Sequence, residues 1–158
     1  MLFQFGQYRL DIDVERTREF YSSQYSLPTS RQCTCTGCQN FDKAILLATD
    51  KVLNFLTSMG IDPCRPSEAF GATEHRDDDS NECRYNGWYH VVGTLSESPI
   101  DESNLPIKET ESNSYMPDTD FDFRVWILSN QDIMGWIEPE FPSPFVEIEF
   151  NIKLPWVI

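Results

Sequence analysis

The sequence predicts an α+β fold: an antiparallel sheet of about four strands with helices packed on one face. Three observations carry this expectation. Near the end of the chain, Val146, Ile148, Phe150, Ile152 and Leu154 alternate with Glu147, Glu149, Asn151 and Lys153. That period of two belongs to a strand with one face on a core and the other in water. In the first half, apolar residues recur every three or four positions, the period of an amphipathic helix. Three of the four strand-like segments gather after the helices instead of alternating with them, which favours an antiparallel sheet over parallel βαβ units.

Residues 3–12 read as a strand, with Gly6 a candidate bulge. Asp13 is placed to cap a short helix running to about Tyr21, with Val14, Thr17 and Tyr21 on one face. Residues 24–37 read as irregular. Phe41, Ala44, Ile45 and Ala48 then mark one helical segment, and Val52, Phe55, Leu56 and Met59 mark a second that begins at Asp50. Gly60 is suited to end the second, with Pro63 just beyond it. Residues 71–83 are polar and read as a solvated loop. Residues 84–95 read as a strand in which Asn86-Gly87 offers a turn or bulge. Residues 96–118 read as a long loop, and 121–128 as a strand with Phe121, Phe123, Val125 and Ile127 on one face.

A chain of 158 residues, 40% hydrophobic and 13% aromatic, can bury a core, and a single domain over 1–158 is expected. Met1-Leu-Phe-Gln-Phe-Gly has neither the basic nor the apolar part of a secretion signal, and no apolar run nears the length of a membrane span. The expected location is therefore the cytoplasm. The formal net charge is −14, and it has an address. Residues 1–65 balance seven Lys/Arg against seven Asp/Glu, whereas residues 66–158 hold five against nineteen. Such a field repels nucleic acid and anionic membranes and attracts basic protein surfaces. Solubility alone accounts for it equally well.

Cys33, Cys35 and Cys38 form a C-x-C-x-x-C knuckle. Three thiolates at this spacing suit a structural Zn²⁺, with Cys64, Cys83, His75 or His90 to close the site and His90 taken as the fourth ligand. The alternative is a set of reduced, partly buried thiols. A redox pair at Cys35 and Cys38 lacks the thioredoxin context. His90 lies in the apolar run Trp88-Tyr89-His90-Val91-Val92, where a core histidine is the ordinary outcome. A ligand or catalytic pocket around it is a further alternative. Asp77, Asp78, Asp79 and Glu82 lack the alternating ligands and glycine of a calcium loop. With Glu147, Glu149 and the aromatic Trp136, they are instead candidate contacts to a partner. No nucleotide, hydrolase or metalloprotease motif occurs, so the expectation leans away from catalysis.

Several segments together resemble a group of small proteins from bacteria, their phages and mobile elements. They are Asp13-Val-Glu-Arg-Thr-Arg-Glu-Phe-Tyr21, Cys33-x-Cys-x-x-Cys-Gln-Asn-Phe41, Gly60-Ile-Asp-Pro63, Tyr85-x-Gly-Trp-Tyr-His-Val-Val-Gly93 and Pro155-Trp-Val. The resemblance spans most of the chain and transfers no site residues. It implies a gene that travels with mobile elements, a setting in which small acidic proteins inhibit host defence nucleases. The leading expectation is thus an acidic binding or inhibitory protein, in its most specific form an anti-CRISPR-like inhibitor that engages a basic nucleic-acid-binding surface and does not itself bind nucleic acid.

Overall fold

The sequence folds around one long strand. In the computed structural model, residues 1–5, 8–71, 81–97, 124–129 and 136–158 are described, with backbone alone for Phe5, Tyr8, Glu97 and 124–129. Strands β1 (Leu2–Phe5), β2 (Tyr8–Ile12), β3 (Glu68–Gly71), β4 (Glu82–Glu97), β5 (Arg124–Ser129) and β6 (Phe145–Pro155) form a six-stranded sheet. Its order is β1-β2-β4-β6-β5, and every pairing is antiparallel. The α+β expectation holds. The strand count rises from about four to six for two local reasons. The first predicted strand is a hairpin, β1–β2, and β3 adds a short edge strand beside the first part of β4.

The helices begin and end where local chemistry requires. Asp13 caps α1 (Val14–Tyr21), its carboxylate accepting from the Arg16 N–H at 3.1 Å. A single turn, α2 (Thr29–Gln32), interrupts the stretch read as irregular. Helix α3 (Thr36–Ala44) runs into a 3₁₀ turn at Ile45–Leu47, and Thr49 caps α4 (Asp50–Ser58) through the Val52 N–H. Helix α4 ends in a Schellman motif: Ile61 N–H bonds Leu56 C=O, and Gly60 N–H bonds Thr57 C=O. Gly60 sits at φ 86°, and a Cβ there would lie 2.5 Å from the Val14 carbonyl. Glycine is thus required twice over at this position.

The two faces of the sheet differ. Cys83, Tyr85, Tyr89 and Val91 of β4, with Val146, Ile148, Phe150, Ile152 and Leu154 of β6, are buried with Phe41, Ile45, Val52 and Leu56 from the helical segment. This is the predicted period-two face. Asn86-Gly87 makes no turn, because β4 continues through it. Gly87 is needed there for another reason: a Cβ would lie 2.1 Å from the Glu68 carbonyl of β3. The opposite face carries Arg84, Asn86, Trp88, His90 and Val92 of β4. Val92 joins Phe20, Phe141 and Phe145 in a second, smaller core. No described helix is long and apolar enough to cross a membrane.

Candidate functional site

Two clusters of reactive side chains stand out among the described residues, one closed and one open. The closed cluster is centred on His90. The β4–β6 register sets His90 directly opposite Glu147. Its Nε2 lies 3.0 Å from Glu147 Oε2, and its Nδ1 lies 2.8 Å from Glu138 Oε2. Glu138 comes from the segment leading into β6, which folds back over this face. Ser67, just before β3, donates its hydroxyl to Glu138 Oε1 at 2.5 Å and lies 2.9 Å from His90 Nδ1.

His90, Ser67, Glu147 and Glu138 are 0%, 1%, 2% and 4% exposed. Phe141 and Phe145 pack against the imidazole in T-shaped arrangements, with centroids 5.4 and 5.2 Å away. Both ring nitrogens thus face carboxylate oxygens, which only accept hydrogen bonds. The imidazolium, with two N–H donors, satisfies both. Burial alone would lower the His90 pKa, but the hydrogen bonds and charges of Glu138 and Glu147 outweigh it and raise the pKa.

The trio Ser67, His90 and Glu147 has the composition of a hydrolase triad but not its wiring. Ser67 gives its proton to Glu138 rather than to His90, and it shares Nδ1 with that acid. A nucleophile must hand its proton to the base and must meet a substrate. A hydroxyl 1% exposed meets none.

The open cluster is the cysteine knuckle. Cys35 is the N-cap of α3, and Cys38 lies in the first turn of that helix. The sulfurs of Cys33, Cys35 and Cys38 all lie within 4.8 Å of one another. Cys33 and Cys35 are exposed and Cys38 is buried. The Cys38 N–H points at Cys35 Sγ, 3.4 Å away. That hydrogen bond, joined by one from the Cys33 thiol, lowers the Cys35 pKa. Burial raises that of Cys38. The donor set fits a thiophilic cation. Zinc at about 2.3 Å from each sulfur needs tetrahedral S···S separations of roughly 3.8 Å, within reach of small side-chain rotations.

The structure corrects two assignments made from sequence. His90 does not join the cysteines, because its two nitrogens are held by Glu138 and Glu147. Glu147 is not a solvent-facing contact, because it is 2% exposed and its carboxylate is held against His90 Nε2. The remaining candidates fall as follows. Glu149, the next acid on the same face of β6, is half-buried. Its pKa is raised by burial and then by the charge of Glu147. Glu82 pairs with Lys153 Nζ at 2.5 Å. Trp136 is 51% exposed. Cys64 is half-buried near the Asp42 carbonyl, and Cys83 is buried. Asp77, Asp78, Asp79 and His75 lie outside the described residues.

Ser67 and Glu138 are functional-looking residues that the sequence did not single out. The available signal was His90 itself: a histidine inside an apolar strand needs hydrogen-bond partners. Nothing in the spacing says that they come from 23 and 48 residues away.

No family model matches the chain, and no curated protein or solved structure matches it. The functional reading rests on the residues themselves.

Proposed function

We propose that this chain is a non-catalytic binding module whose N-terminal part holds a thiophilic metal ion, in the first instance Zn²⁺, on Cys33, Cys35 and Cys38. The observation that carries the reading is the convergence of three sulfurs within 4.8 Å at the start of one helix. Cys35 supplies a thiol already biased towards thiolate, and a bound dication would draw the proton from Cys38 despite its burial. The buried His90 network supports the non-catalytic half of the proposal, since its serine and imidazole are spent on each other and on two acids.

Elemental analysis of protein purified without added zinc tests the metal. Stoichiometric zinc, lost on Cys35→Ser, is the expected result. Substoichiometric metal with all thiols titratable overturns it.

A second reading is favoured by the charge asymmetry: the acidic residues 66–158 engage a basic protein surface. An anti-defence inhibitor seated on the nucleic-acid groove of a nuclease is its most specific form. Binding to a basic protein that weakens steeply with salt supports this reading. Binding indifferent to salt counts against it.

A further inference from the structure

We propose that Trp88, with Glu68, Glu149 and Phe70 around it, is a docking site for an arginine side chain displayed by a basic protein. The proposal rests on the second reading above and gives the contact an address.

The three central strands build the site in one row. In the register, Glu68 of β3 pairs with Trp88 of β4, and Trp88 pairs with Glu149 of β6. Directly paired residues share a face, with Cβ atoms roughly 4.5–5.5 Å apart. One indole is therefore flanked on both sides by carboxylates. Phe70, two residues beyond Glu68 on the same face, sets its ring 6.3 Å from the Trp88 ring at 69°. At the other end, Trp88 Nε1 donates to the Trp136 carbonyl at 3.1 Å. This bond fixes the indole and brings the exposed Trp136 and Ile137 to the rim.

Phe70 is 49%, Trp136 51% and Ile137 40% exposed, so the site also offers aromatic and aliphatic surface. Glu68 is exposed and Glu149 half-buried, and neither forms an ion pair with a described residue.

These features select the occupant. An apolar partner would bury two carboxylates without compensation. An anion would meet a chain of net charge −14. A cation gains from the indole face and from both acids. Arginine gains more than lysine, because its planar guanidinium stacks on an indole while its edges reach carboxylates. It would also neutralise Glu149, whose ionised form is penalised by burial and by the neighbouring Glu147. The row behind offers the same chemistry from within, where the His90 ring, cationic when protonated, lies between Glu138 and Glu147.

The test uses the full chain and two probes, an oligo-arginine and an oligo-lysine peptide of equal length, titrated by calorimetry at low salt. The expected result is tighter binding of the arginine peptide. Its affinity should fall about tenfold in the Glu68→Gln/Glu149→Gln double variant and severalfold in Phe70→Ala. Circular dichroism confirms that each variant is folded. Should the double variant fail to fold, Phe70→Ala decides, because its side chain is half exposed. Salt-sensitive binding that is unchanged in these variants overturns the docking site and leaves the general acidic-partner reading standing. No binding of either peptide at low salt overturns both.

Discussion

The His90 network and the cysteine knuckle hold similar numbers of reactive groups but have opposite chemical prospects. Around His90 every donor meets an acceptor, and every member is at most 4% exposed. Around Cys35 the sulfurs converge with no described carboxylate or imidazole among them, and two of the three are exposed. A site needs both access and unused bonding capacity. The histidine cluster has neither, so it is cohesive; the cysteine cluster has both, so it can take a ligand.

The sharpest way to break this comparison is His90→Ala. It leaves two carboxylates buried without their cation and should cost about 3–5 kcal/mol, read from the urea midpoint. A loss well under about 1 kcal/mol would mean that the network does not hold the fold. Zinc comes next. At a hundredfold excess over its Kd it should add about 2.7 kcal/mol to stability, seen as a rise in Tm. The rise should vanish in Cys35→Ser; a rise that survives replacement of Cys33, Cys35 and Cys38 together would place the metal elsewhere.

Ser67→Ala removes one buried donor from Glu138 and should cost about 1–3 kcal/mol by the same urea measurement. An unchanged midpoint would show that His90 alone satisfies that acid. The smallest effect near neutrality is that of pH. The folded His90 pKa is raised above its ordinary value of 6.5 by the two acids, after the opposing effect of burial. Its contribution to stability is therefore complete below about 6.5 and is lost as pH rises through the folded pKa. Denaturation midpoints across that range, with the imidazole followed by NMR, check the sign. Stability that rises with pH in this window in wild type but not in His90→Ala would refute it.

Helix ends and core faces were readable from short-range chemistry. Asp13 caps α1, Gly60 ends α4, and the alternating apolar residues of β6 line the helix-side core, because each depends on neighbours a few positions away. The hairpin at the start, β3 and the meaning of Gly87 were not readable. Short strands carry little periodicity, and a glycine that admits the Glu68 carbonyl looks in sequence like one that makes a turn. The polar side of β6 was half readable. Alternation puts Glu147 and Glu149 on the face opposite the core, but it does not reveal whether that face is wet.

By itself, then, the sequence determined the α+β class, the caps at Asp13 and Gly60, the inward face of the last strand, the seat of the negative charge and the presence of a cysteine knuckle. Only the tertiary structure decided where His90 belongs. Its partners Ser67, Glu138 and Glu147 arrive from three separate segments, and the segment carrying Glu138, Phe141 and Pro144 folds over the sheet to bury them. Periodicity records which way a side chain points. Whether it meets water, an acid or a cation depends on what long-range folding lays across it.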